Sequence, residues 1–133
     1  MRDHGGDLDR ARAEYGGDDW IDLSTGINRA PYPVPELPPH AWTALPTAED
    51  VAKLEATAAR AFAANYPVVA LSGAQAAIQL VPRLSAPGRA AVLAPSYNEH
   101  AAALAAQGWA VEAAADLTAM EGAELAVVVN PNN

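Results

Sequence analysis

The sequence predicts an α/β fold, a mainly parallel sheet with flanking helices, and three observations carry that expectation. Short apolar runs recur at residues 68–71, 90–93, 109–111 and 125–129. Stretches of helix-forming composition, 74–84 and 97–107, lie between the first three. Strands that alternate with helices at this spacing imply parallel pairing through crossover helices. Alanine enrichment suits helices lying close on a sheet.

Taken in order, residues 7–15 read as a short charged helix, and Trp20-Ile21-Asp22-Leu23 alternates like a half-buried strand. Pro31, Pro33, Pro35, Pro38, Pro39 and Pro46 then exclude both a helix interior and a central strand. Residues 1–46 are therefore read as an N-terminal arm with a Pro-rich connector, and 47–133 as the main domain. Thr47 resembles a helix N-cap, with Glu49 and Asp50 set against the positive end of the helix dipole. Val51, Leu54, Ala58, Ala61 and Phe62 follow at helical spacing, which predicts one face packed on a core. The strand and helix runs come next, and the last strand, 125–129, leads into Asn130-Pro131-Asn132-Asn133. A ligand in an open α/β sheet sits beyond the carboxyl ends of the strands, so the chain ends where a site is expected and reads as cut rather than bounded.

Composition excludes several classes. A net charge of −8 and a pI near 4.6 argue against a nucleic-acid partner, which requires clustered Lys and Arg. There are no cysteines, so disulfides and thiolate chemistry are excluded, and no metal site is read from the sequence. The first residues carry no apolar signal region, and no run reaches the roughly 18 apolar residues of a membrane span. A soluble cytoplasmic protein without membrane attachment is the expectation.

Three loops follow strands, and each carries suggestive residues. Ser72-Gly73-Ala74-Gln75 joins a strand to a helix start, where backbone N–H groups suit a phosphate, although any tight turn also favours Gly. In Pro95-Ser96-Tyr97-Asn98-Glu99-His100, Tyr97 can present its ring to a planar ligand, and His100 falls one turn later on a similar side. The plainer readings are a core-edge aromatic and a solvated histidine. Asn130-Pro131-Asn132-Asn133 offers amides that can donate to a phenolic oxygen, while Asn-Pro is also a common turn. Together a phosphate seat, a ring platform and an amide donor fit pyridoxal 5′-phosphate.

These residues, with His4-Gly5-Gly6-Asp7 and Asp22-Leu23-Ser24-Thr25-Gly26-Ile27-Asn28, resemble the N-terminal part of fold-type I pyridoxal-phosphate enzymes of the aminotransferase class I/II group. Within that group the likeness is to the L-threonine-O-3-phosphate decarboxylases of cobalamin biosynthesis. The resemblance implies a homodimeric carboxy-lyase acting on a small phosphorylated amino acid to give aminopropanol phosphate. It implies that the backbone of Gly73, Ala74 and Gln75 holds the cofactor phosphate, that Tyr97 stacks on the pyridine ring and that Asn133 donates to the phenolic oxygen. Asn130 would shape the turn, and His100 would orient an aspartate paired with the pyridine nitrogen. His4, Gly5 and Gly6 would close near the substrate's phosphate, and Gly26, Ile27 and Asn28 would lie over its carboxylate.

The departures are specific. Arg29-Ala30 follows Gly26-Ile27-Asn28 where relatives commonly continue with Pro, and Leu45-Pro46 stands where many aminotransferases carry Tyr-Pro. The aspartate, the Schiff-base lysine and two arginines of the family's C-terminal half have no counterpart here, and the one lysine, Lys53, lies four residues after Glu49 at the spacing of an exposed ion pair. Catalysis is thus expected of the parent enzyme and not of this polypeptide alone. Two alternatives stay open: an aminotransferase of the histidinol-phosphate type, and a non-catalytic α/β ligand-binding module.

Overall fold

A computed structural model describes residues 5–132. In chain order the elements are α1 (Leu8–Tyr15), α2 (His40–Thr43), α3 (Ala48–Ala61), α4 (Ala74–Leu80), β1 (Arg89–Leu93), α5 (Glu99–Ala106), β2 (Ala110–Ala114) and β3 (Leu125–Val127). Single 3₁₀ turns occur at Val81–Arg83 and Thr118–Met120. The chain divides into two compact units, one formed by the residues up to Pro31 with those from Val81 onward, the other by Tyr32–Leu80.

The first unit holds a three-stranded parallel sheet in the order β2-β1-β3, with Ala90 opposite both Val111 and Leu125. The parallel α/β architecture read from the sequence is therefore the one observed. β1 is central, and its residues alternate between two layers. Ala90 and Val92 pack with Leu104 of α5 and with Trp109, while Ala91 packs with Ala114 and Met120 on the opposite face. Alanine at 90 and 91, both fully buried, leaves room for the covering elements to approach the strand closely. Burying a leucine such as Leu104 contributes about 2 kcal/mol. The Trp109 indole remains satisfied by donating to Pro82 O at 3.0 Å. At the amino end of the strands Arg89 ties the layers together. Its Nε donates to Glu112 Oε2 at 2.9 Å, its Nη1 to Glu121 O at 2.9 Å, and its backbone N–H to Glu124 Oε2 at 2.8 Å.

Two expected strands are not strands. Residues 20–23 are bent by local bonds, with the Trp20 indole donating to Gly16 O and Gly17 O and Asp22 accepting from Ser24, and Ile21 and Leu23 are exposed. Residues 68–71 have no ladder partner among the described residues, and the Ala70 N–H instead meets Glu55 Oε1 at 3.0 Å. An apolar run becomes a strand only when a neighbour accepts its backbone groups. The helix expected over 74–84 stops at Leu80, because Pro82 lacks an N–H and disfavours helical backbone before it. The helix expected from residue 97 begins at Glu99.

In the second unit, α3 starts at a complete capping box. The Thr47 hydroxyl oxygen accepts from the Asp50 N–H at 3.1 Å, and an Asp50 oxygen accepts from the Thr47 N–H at 2.9 Å. Its expected core-facing stripe is not covered: among the described residues no α3 side chain is fully buried, Leu54 is 58% exposed, and Phe62 just beyond the helix is 77% exposed. The Pro-rich connector carries no helix or strand apart from the single turn α2. No helix among the described residues is long and apolar enough to cross a membrane.

Candidate functional site

Strand order determines where the sheet can take a ligand. From β1 the chain crosses to β2 on one side and then returns to β3 on the other, so β1 and β3 diverge at a topological switch point. Ligands in open α/β sheets bind in the crevice beyond the carboxyl ends at such a point. Two loops open there, 94–98 after β1 and 128–132 after β3, and the Asn132 Nδ2 bridges them by donating to Pro95 O at 2.6 Å. Tyr97, 45% exposed, stands in the first loop, and the half-buried His100 meets its ring edge-to-face with centroids 6.2 Å apart. Beside them lies a cavity of about 240 Å³ lined by Val92, Pro95, Tyr97, Ala101 and Val111. Glu99, 5% exposed, is the buried first residue of α5.

The N-terminal segment of the same unit brings two motifs together. The Gly6 N–H donates to Ser24 Oγ at 2.7 Å, and Ser24 in turn donates from Oγ and N to Asp22 Oδ1 at 2.5 and 2.9 Å. A side chain at Gly5 would place its Cβ 2.2 Å from Ser24 O, so only glycine permits this approach. The Ser24 hydroxyl and then its N–H hold the Asp22 carboxyl below the usual carboxylate range, and Arg29 adds to the effect. Asp7 caps α1 by accepting from the Arg10 N–H. Between α1 and residues 20–24 lies a groove of about 290 Å³ that Gly5, Gly6, Asp22 and Ser24 help to line. Downstream, Gly26 and Ile27 are exposed and Asn28 Oδ1 accepts from the Ala30 N–H at 2.9 Å, a local Asx turn.

In the other unit, Gly73 takes φ +83° in the turn before α4, and a Cβ built there would meet nothing within 4 Å. Its N–H donates to Leu71 O at 2.8 Å, so an anion at this turn would draw first on the amides of Ala74 and Gln75 at the start of α4. Lys53 pairs with Glu49 at 2.8 Å on the exposed side of α3, the arrangement its spacing implied.

No protein-family model matches the chain. A threonine-phosphate decarboxylase of Sinorhizobium sp is 44% identical over 137 residues, an alignment covering 98% of this chain and 40% of the relative. One of Pseudomonas aeruginosa is 41% identical over 138 residues, covering 100% of this chain and 41% of the relative. The chain is homologous to threonine-phosphate decarboxylases. It spans about two-fifths of the length of these curated relatives. Identity at this level along the whole chain agrees with the resemblance read from the dispersed motifs, and those motifs lie on both compact units.

Of the residues singled out in the sequence, Tyr97 and His100 lie together at the β1 end and Gly5 and Gly6 lie against Ser24. Gly73, Ala74 and Gln75 form the α4 turn of the other unit. His4 and Asn133 lie outside the described residues. Asn132 and the Asp22–Ser24 pair stand in the sequence only as members of motifs, with no role of their own. The pair had a signal, since Asp and Ser two residues apart close local turns. Asn132 had none that separated it from its neighbouring asparagines.

Proposed function

We propose that the whole protein carrying this chain is a pyridoxal-phosphate-dependent carboxy-lyase, converting L-threonine O-3-phosphate to (R)-1-aminopropan-2-yl phosphate in cobalamin biosynthesis. The reading rests on the 44% identity to a threonine-phosphate decarboxylase along 98% of the chain. In this reading the protein is a cytoplasmic homodimer of fold type I, residues 1–46 form an arm and connector, and 47–133 belong to the cofactor-binding domain.

The residues present suit the cofactor. Tyr97 offers an exposed ring at a switch-point loop, and the turn at Gly73 is open where a side chain would stand. Pyridoxal phosphate, when bound, supplies the electron sink for the carbanion left by loss of carbon dioxide. The chain's residues bind and orient. The amides of Ala74 and Gln75, with the turn at Gly73, take the phosphate at the positive end of α4. Tyr97 holds the ring by its face and is itself steadied by His100, which also orients the ring-nitrogen aspartate supplied elsewhere in the protein. Asn133 donates to the phenolic oxygen and favours its ionised form. His4, Gly5 and Gly6 close over the substrate phosphate, and Gly26, Ile27 and Asn28 cover its carboxylate. Lys53, exposed and paired with Glu49, is not the Schiff-base lysine.

The test is turnover of threonine phosphate by the whole protein, following carbon dioxide release and aminopropanol phosphate formation. Tyr97→Ala is expected to weaken cofactor binding by about 1 kcal/mol. Asn133→Ala is expected to shift the pKa read from the bound cofactor's absorbance, which Tyr97→Ala leaves nearly in place. Amino transfer to a keto acid in place of decarboxylation would overturn the assignment.

A further inference from the structure

The ladder between β1 and β3 ends at the pair Val92–Val127, so the loops beyond it are not held by strand pairing. The loop after β1 has an anchor at each end. Upstream the Ala94 N–H donates to Ala114 O at 2.9 Å, and downstream α5 begins at the buried Glu99. Between these anchors Pro95 has no N–H to give, and its carbonyl is one of the groups that hold the loop, beside Tyr97 O, which accepts from the His100 N–H at 3.4 Å. The Asn132 side chain takes that carbonyl at 2.6 Å, reaching across 37 residues of sequence from the loop after β3. Tyr97 is two residues further on.

We infer that Asn132 is a positioning residue for the cofactor ring. By holding Pro95 O it fixes the loop that carries Tyr97, and so sets the plane on which the pyridine ring rests. The inference rests on the proposed pyridoxal-phosphate function and assigns a role to a residue other than those that would touch the cofactor in that reading. The amide is suited to the task because its Nδ2 can only donate, and the target carbonyl can only accept.

The experiment uses the whole protein with pyridoxal 5′-phosphate as the probe. Asn132→Ala removes the tie, and Asn132→Asp replaces the donor with an anion facing the same carbonyl. The dissociation constant for the cofactor is expected to rise about threefold for Asn132→Ala, less than for Tyr97→Ala itself, and further for Asn132→Asp. The circular dichroism that the protein induces in the bound cofactor should fall at saturation, because the ring is less uniformly oriented. Asn132→Ser, with a shorter donor, is the second variant should Asn132→Asp fail to fold. The deciding measurement is a double-mutant cycle with Tyr97→Ala. If Asn132 acts through Tyr97, Asn132→Ala has little further effect on cofactor binding once the ring is gone. Additive losses, or an unchanged dissociation constant and dichroism in Asn132→Ala, overturn the positioning role while leaving the proposed function standing. Failure of the unsubstituted protein to bind the cofactor overturns both.

Discussion

Helices α3 and α5 reach opposite outcomes from opposite resources. α3 is the longer, at 14 residues, with a complete capping box, acidic residues in its first turn and a basic one in its last, yet none of its side chains is fully buried. α5 has 8 residues and no side-chain cap, yet Ala103 and Leu104 are buried because the crossover from β1 to β2 lays the helix on the sheet. Local signals decide that a helix forms, and topology decides whether it contributes a core. A helix is thus legible from a short window, whereas its burial depends on residues far along the chain.

Substitutions that separate these two causes can break the comparison. The largest effect is expected for Leu104→Ala, which should cost about 2–5 kcal/mol in urea unfolding of the whole protein, from lost transfer energy and the cavity left behind. Leu54→Ala in α3 is the matched control. A cost there as large as at Leu104 would mean that α3 is buried in the whole protein. Thr47→Ala comes next, at about 1 kcal/mol, read as faster hydrogen exchange confined to the first turns of α3 while β1 amides keep their protection.

Acid should do the same reversibly. The Thr47 hydroxyl and then its N–H hold the Asp50 carboxyl below the ordinary carboxylate range, as Ser24 does for Asp22. Each depressed group contributes stability that is full above the unfolded pKa and is lost as pH falls through the folded one. Titration below about pH 4 should therefore loosen the α3 start and the Asp22–Ser24 turn together. Side-chain carboxyl shifts followed by NMR check this, and titration of both groups at ordinary values would contradict it. Gly5→Ala should displace Gly5 and Gly6 from Ser24, losing about 1 kcal/mol with the Gly6–Ser24 bond, read in urea unfolding of the whole protein. The smallest change belongs to Lys53→Ala, within about 0.5 kcal/mol because the pair with Glu49 is exposed.

What was legible in the sequence follows the same division. β1, β2, β3 and α5 were found from apolar runs and their spacing, and the α3 start from Thr47 and its acidic neighbours, because each signal is local. Residues 20–23 and 68–71 carried the same kind of run and did not pair, since a ladder needs a second strand that no window of sequence displays. Tyr97 and His100 were found together because one helical turn separates them. Asn132 was not, because its importance is conferred by a carbonyl 37 residues away.

The strand order β2-β1-β3 also sets a timetable for assembly. As the chain emerges during synthesis, β1 and β2 can pair once Ala114 is free, whereas the other edge of β1 waits for residues 125–127. At typical elongation rates that delay is on the order of a second. For that interval the most buried strand of the sheet presents open backbone groups along one side, the condition under which nascent chains associate wrongly. Any slowing of translation between codons 114 and 125 therefore lengthens the exposure of the strand on which both faces of the core depend.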